Sequence, residues 1–295
     1  MATKSEVLIA LAGVDFSASS EDDLKSMYHE IRETGLHGIS FSPYIEGQEP
    51  GNFIPEEQIR QRLKIIRPYT NWIRSFSCTD GHEAIPRIAH EAGLKTLVGA
   101  WLGKDKAKNK QEIENLIKIG KAGDADILAV GNEVMYRKDL SEDELLGYMH
   151  DVKAALPDIP MGYVDAYYEF AKRPRITEAC DVILANCYPF WEGCNIDYSL
   201  LYIKDMYYRA VIAGNGKNVI ITETGWPDKG TSFGASEPSC ENAIKYFINC
   251  NKWAAEENIE LFYFSSFDET WKIESEGDVG AYWGIWDKDG ELKFV

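Results

Sequence analysis

Two glutamates have the residue type and the setting that catalysis asks for. Positions 219–227 read Val-Ile-Ile-Thr-Glu-Thr-Gly-Trp-Pro, a β-branched run that delivers one carboxylate, Glu223, before Gly225 and Pro227 stop it. Positions 126–133 repeat the design, where Asp-Ile-Leu-Ala-Val-Gly-Asn-Glu leads an apolar stretch into Gly131, Asn132 and Glu133. A short, continuous apolar run bounded by Gly or Pro marks a strand covered on both faces. An acid in mid-strand would be costly to bury unpaired, whereas one placed where a barrel strand gives way to its loop reads as catalytic. Two carboxylates facing one cleft suit cleavage of a glycosidic bond. At a separation of about 5 to 5.5 Å one attacks the anomeric carbon while the other protonates the leaving oxygen, and configuration is retained. The acid then needs a raised pKa and the nucleophile an ordinary or lowered one.

The elements that must position these groups are legible as an alternation. Ser20-Glu-Asp-Asp-Leu is a capped helix start, and Leu24, Met27 and Ile31 carry a helical stripe to Gly35. Strands are expected at 37–44, 71–78, 94–102, 126–133, 161–166, 182–188, 219–222 and 259–267, with helices between them, as at 84–92, 108–122 and 141–156. About eight such units in roughly 250 residues predict an α/β fold, a single (β/α)8 TIM barrel with a parallel sheet. A doubly wound open sheet is the second choice, but no GxGxxG or P-loop sequence follows any strand. No Pro- or Ser-rich linker interrupts the chain, so 1–295 is expected to be one catalytic domain, with 1–36 an extension packed on the barrel.

Composition narrows the partners. A net charge of -17 argues against nucleic acid or an anionic membrane, and neutral substrates fit better. No apolar run is long enough to span a membrane, and 7–14 is too short for a signal core. The six cysteines, at 78, 180, 187, 194, 240 and 250, match no zinc or redox spacing; most are expected to be core residues, with a pairing such as Cys240 to Cys250 left open. The five histidines lack ligand spacing, so neither metal nor cofactor is expected.

Aromatic residues gather after the same strands: Tyr44, Trp101, Tyr136, Tyr188, Phe190, Trp191, Trp226 and Trp271. Their flat faces suit pyranose rings, whose hydroxyls seek polar partners. A third acidic motif, Ser-Ser-Phe-Asp-Glu-Thr-Trp-Lys, closes the last strand with Glu269 and Lys272. Together with Val-Gly-Asn-Glu133-Val, Ile-Thr-Glu223-Thr-Gly-Trp-Pro, Ile73-Arg74, Asn186-Cys-Tyr-Pro and Tyr282-Trp-Gly-Ile-Trp-Asp, this order resembles glycoside hydrolase family 17, the β-1,3-glucanases and glucanosyltransferases of plants, fungi and bacteria. The resemblance runs from about Gly38 to Phe294 and implies a retaining enzyme on β-1,3-glucan. It makes Glu133 the acid/base and Glu223 the nucleophile, has Asn132 bond a sugar 2-hydroxyl and Tyr188 bond the nucleophile, and sets Glu269 with Lys272 as an auxiliary pair. The Asp-Glu-Thr-Trp form and the short loops are similar to microbial members, which favours transfer to a second glucan over hydrolysis. Such a protein is expected to be monomeric and secreted or held at a cell wall, with the cytoplasm as the other location.

Each residue also has a plainer reading. Lys272 can be a structural ion-pair partner of Glu269, and Trp226 and Trp271 can be core aromatics. Tyr136 and Trp191 fall in loops with no evident core to fill, so they are expected, with Tyr44 and Glu192, to hold sugar. Two other functions compete. One is a glucan-binding barrel without catalysis. The other is an aldolase or phosphate-binding barrel, which would want a central lysine or a late Gly-rich loop, where this chain instead has Trp, Pro and acids.

Overall fold

The computed structural model describes residues 12–295. Eight parallel strands pair in sequence order and close on themselves: β1 (Leu36–Ser40), β2 (Thr70–Ser75), β3 (Lys95–Ala100), β4 (Ile127–Asn132), β5 (Met161–Ala166), β6 (Val182–Asn186), β7 (Asn218–Thr224) and β8 (Leu261–Tyr263), with β8 returning to β1. The expected (β/α)8 barrel is the fold. Several expected strands overran their ladders, and β8 is the clearest case, three residues against the nine of 259–267. The surplus residues at the mouth are loops that carry polar groups over the barrel.

Alternate side chains of each strand divide between two cores. Leu97, Ile127, Ala129, Val164, Leu184, Ile220 and Phe262 point inward and fill the barrel. Leu128, Val130, Ile183 and Ile221 point outward beneath the helices. This explains the β-branched runs, since neither face meets water. The helices begin where capping chemistry directs. Ser141 and Glu144 form a reciprocal capping box at Glu142–Ala155, and Ser20 with Asp23 does the same at Glu21–Thr34.

Of the expected N-terminal extension, residues 1–11, and with them most of 7–14, lie outside the described residues. The helix Glu21–Thr34 does more than pack on the outside. After β8 only short helical turns follow, and Glu21–Thr34 takes up the ring position between Cys240–Glu257 and the turn Arg67–Tyr69. Tyr28 anchors it, with its ring 4.6 Å from Phe247 and 5.4 Å from Phe294.

All six cysteines are free, and five are buried. Cys240 and Cys250 lie ten residues apart on one helix, Cys240–Glu257. That spacing is about 15 Å along the axis, beyond the reach of a disulfide.

Candidate active site

The site lies where the strands end. β7 carries Glu223, and β4 ends at Asn132, one residue before Glu133. Ladder irregularities occur at the upper ends of the β4–β5, β6–β7 and β7–β8 pairings. Gly131 and Glu133 both have positive φ, 88° and 51°. Such a conformation in a non-glycine residue is uncommon and, where it is held by its surroundings, aims a side chain away from the strand's own alternation.

Arg74, on β2, is buried to 1 % exposure and organises the floor. Its Nη1 donates to Glu223 Oε1 at 2.6 Å and to the Thr222 carbonyl at 3.2 Å, and its Nη2 donates to Asn132 Oδ1 at 2.6 Å. Because Asn132 Oδ1 is thus engaged, its Nδ2 is the group left to donate into the cleft. Tyr188 donates its hydroxyl proton to the other oxygen of Glu223 at 2.8 Å. Two donors, the Arg74 guanidinium and the Tyr188 hydroxyl, thus converge on this carboxylate, one on each oxygen.

Glu133 is held differently. Asn186 Nδ2 donates to Glu133 Oε1 at 2.8 Å, and Thr222 Oγ1 donates to Asn186 Oδ1 at 2.8 Å, which fixes the amide's orientation. Burial, and next the charge of Glu223, push the Glu133 carboxyl up to about 7, against the smaller opposing effects of Asn186 and Arg137. One carboxylate paired with arginine and another kept protonated near neutrality are the two states that acid-assisted nucleophilic attack requires.

A cavity of about 450 Å³ opens above them, lined by both glutamates and by Tyr136, Tyr167, Tyr168, Tyr188, Trp191, Glu192, Glu276 and Trp283 among others. The structure therefore brings Glu133, Glu223, Tyr136, Tyr188, Trp191 and Glu192 together. Trp191 packs against Trp283 at 5.7 Å, and Glu192 accepts from the Tyr167 hydroxyl at 2.8 Å. Asn132, 8 % exposed, and Tyr44 are not among the residues that line this cavity; Tyr44 stands edge-on to Trp271 at 5.9 Å. Glu269 and Lys272 form a buried pair at 2.5 Å; Glu269 also accepts from Ser42 and Trp271, and Lys272 Nζ sits 4.1 Å from the Phe264 ring centre. Burial works against the Lys272 ammonium, but Glu269, Glu276 and Glu223 outweigh it and raise its proton affinity.

Trp226 is a correction. It is 2 % exposed, wedged between Phe190 at 5.2 Å and Tyr246 at 5.5 Å, with Nε1 donating to the Glu237 carbonyl at 3.0 Å, so it belongs to the core and offers no face to a sugar. Phe190 is buried in the same layer. Reading the residues missed Tyr167, Tyr168, Glu276 and Trp283 as lining groups, and it met Arg74 and Asn186 only inside motifs. An arginine four residues after Thr70 at the start of β2, and one before Ser75 at its end, was the available signal for Arg74. Among the described residues no cluster of His, Cys, Asp and Glu can hold a metal.

With this geometry in place, residues 38–284 match the family model of the BtgE/BtgC glycoside hydrolase domain. The chain belongs to this glycoside hydrolase family. A glucan 1,3-beta-glucosidase of Candida albicans is 27 % identical over 262 residues, covering 79 % of this chain and 83 % of that protein. A putative glucan endo-1,3-beta-glucosidase, btgC of Aspergillus niger, is 28 % identical, and the match covers 92 % of this chain but 45 % of the longer protein. Among solved structures, an active-site mutant of the Rhizomucor miehei beta-1,3-glucanosyltransferase in complex with laminaritriose superposes with a TM-score of 0.79 at 29 % identity, covering 88 % of this chain and 96 % of the other. The same Rhizomucor miehei enzyme is described as glycoside hydrolase family 17, the family that the motifs resemble.

Proposed function

We propose that this BtgE/BtgC-family glycosidase cleaves β-1,3-glucan by double displacement and passes the released glucosyl chain to a second glucan. The observation that carries the mechanism is the asymmetry of the two acids: Glu223 takes donors from Arg74 and Tyr188, while Glu133 is held up at about 7. Glu223 attacks the anomeric carbon and forms the glycosyl-enzyme bond as Glu133 gives its proton to the departing oxygen. Glu133, now ionised, takes a proton from the incoming hydroxyl, which attacks the anomeric carbon and releases Glu223. In this scheme Asn132, whose Oδ1 is held by Arg74, donates through Nδ2 to the 2-hydroxyl of the sugar under attack.

The choice of β-1,3-glucan rests on the names of the relatives, and transfer on the cleft wall beyond Glu133. Tyr136, 57 % exposed, lines the same cavity as Trp191 and Glu192, and these side chains support a reading in which an acceptor sugar outlasts water. Hydrolysis, as an endo-β-1,3-glucanase, is the second reading, supported by the endoglucosidase name of the Aspergillus niger relative. The chain is proposed to act as a monomer and needs no cofactor in this scheme. No described helix is long and apolar enough to cross a membrane. Action on a polymer accords with a secreted or wall-bound enzyme, while six unpaired cysteines accord with the cytoplasm.

The test is a mass profile of products from a linear β-1,3-gluco-hexasaccharide over a rising concentration series. Products longer than the donor support transfer. Shorter products alone would make it a hydrolase, and an unchanged sugar that still binds would turn the reading towards a glucan-binding barrel.

A further inference from the structure

Glu133 sits on a single turn, Val134–Arg137, whose backbone it enters with left-handed φ. Four residues make no stable helix on their own, so something outside must hold the turn. Three consecutive residues of β5 do so. The Glu133 N–H donates to the Val164 carbonyl at 2.7 Å, the Met135 N–H donates to the Tyr163 hydroxyl at 2.8 Å, and the Tyr136 N–H donates to Asp165 Oδ2 at 3.3 Å. Tyr163 in turn donates its proton to Asp165 Oδ2, and the Ala166 N–H binds Oδ1 at 2.7 Å. Both side chains are buried, Tyr163 at 1 % and Asp165 at 0 % exposure. The far end of the turn is tied by Arg137, which donates to the carbonyls of Asn132 and Leu102.

We infer that Tyr163 and Asp165 are positioning residues for the general acid, which hold the turn that carries Glu133 and place a buried carboxyl beside it. This deepens the proposed function and rests on the assignment of Glu133 as acid. The groups facing Glu133 are Glu223 from β7, Asp165 from β5, Arg137 from its own turn, the neutral amide of Asn186 and the phenol of Tyr188 from β6 and its exit, the phenol of Tyr168 after β5 and, through Asn132 and Glu223, Arg74 from β2; Glu276 lines the same cavity. Glu223 and Asp165 favour the protonated acid, and Arg137 opposes them. Asp165 itself is raised to about 6, chiefly by burial, so near pH 7, where Glu133 gives up its proton, Asp165 is the more fully ionised of the two. Asp165 Oδ2 accepts from Tyr163 and the Tyr136 N–H and Oδ1 accepts from the Ala166 N–H, so an asparagine loses an acceptor as well as the charge, and the loss of charge is read separately, in the basic limb of the pH profile.

The experiment compares wild type, Asp165→Asn, Tyr163→Phe and Glu133→Gln on two substrates: a β-1,3-gluco-oligosaccharide, whose leaving sugar needs a proton, and a 2,4-dinitrophenyl β-glucoside of the same chain, whose leaving group does not. In Asp165→Asn the basic limb of kcat/KM on the oligosaccharide should move down by roughly half a pH unit or more, because a like charge next to the acid is gone. Its kcat/KM at neutral pH should fall by about ten-fold on the oligosaccharide and by less than about three-fold on the aryl glycoside, a fraction of what a general acid contributes. Tyr163→Phe should show the same selective loss, and it carries the test if the asparagine variant does not fold. An unmoved or raised basic limb in Asp165→Asn, or equal losses on both substrates in both variants, would overturn the inference. Glu133→Gln separates the two levels of argument. If it keeps oligosaccharide activity, the assignment of the acid falls; if it loses that activity while the β5 variants behave as wild type, only the role of Tyr163 and Asp165 falls.

Discussion

Arg74 and Glu223 meet at 2.6 Å with side chains 2 % and 8 % exposed. The same guanidinium reaches Asn132, so one residue of β2 ties the end of β4 to the end of β7 across the barrel. Its cost is visible: Arg74 Nε has no partner, although the guanidinium carbon lies 4.2 Å from the Phe76 ring centre. Burying an arginine with one donor unsatisfied is unfavourable unless the charge it faces is needed there.

Removing that partner should harm both stability and activity. Arg74→Met leaves the Glu223 carboxylate buried without its cation, a loss of about 3 to 5 kcal/mol in stability. Arg74→Lys keeps a charge but cannot bridge Glu223 and Asn132 with two nitrogens. It should retain more of the Tm than Arg74→Met and still lose on the order of 100-fold in kcat/KM, read by thermal melts and initial rates.

The raised Glu133 carboxyl makes a prediction about pH. Activity that needs its proton should fall as pH rises through about 7, read as the basic limb of kcat/KM. Stability follows the same group with the opposite logic to a salt-bridged acid. The folded state binds this proton more tightly than the unfolded chain, so its contribution declines between about pH 4.5 and 7 and stays low above that. Glu133→Gln should therefore be inactive on the oligosaccharide yet more stable than wild type at pH 8, by up to about 3 kcal/mol. Equal stability at pH 8 would count against the burial of a charged Glu133.

Trp226 should behave as a core residue. Trp226→Ala is expected to cost about 3 to 5 kcal/mol in a chemical denaturation series. Trp226→Phe, which keeps an aromatic ring between Phe190 and Tyr246, should leave KM for glucan close to that of wild type. A large rise in KM with unchanged stability would return it to the cleft.

The proposed acceptor wall should separate transfer from hydrolysis. Tyr136→Ala and Trp191→Ala should lower the ratio of long to short products by several-fold, with smaller changes in total donor consumption, because each removes a stacking face and leaves Glu133 and Glu223 in place. Product ratios by mass profile check this.

The contrast between Glu223 and Trp226, three residues apart, shows what a sequence can disclose. Strand ends were legible because a run buried on both faces is continuously apolar and gives way near Gly or Pro; a single acid there is more often a surface or salt-bridged residue, and it was the pair, in two matching motifs, that pointed to catalysis. The ring of Trp226 was not, because its direction depends on a close approach. A Cβ on Gly225 would lie 2.1 Å from the Phe264 carbonyl oxygen, so the chain leaves β7 pressed against the end of β8 and Trp226 turns into the helix layer. The helix Glu21–Thr34 was readable from its capping box, but its place in the ring depends on the lack of a long helix after β8, a tertiary matter. Glu276 drew no reading from the sequence, and only the fold carries its turn, Ile273–Glu276, to the cavity. Asn186 and Arg74 act through partners 53 and 149 residues away, which no local pattern records.

The most direct measurement is the trapping of the glycosyl-enzyme. A 2-deoxy-2-fluoro β-1,3-gluco-oligosaccharide with an activated leaving group slows the second displacement more than it slows the first. Intact mass and peptide mapping should then show one added glycosyl unit on the peptide that contains Glu223, and none in Glu223→Gln. An adduct on another residue, or turnover without any trapped species and with inversion at the anomeric carbon, would contradict the double displacement at Glu223.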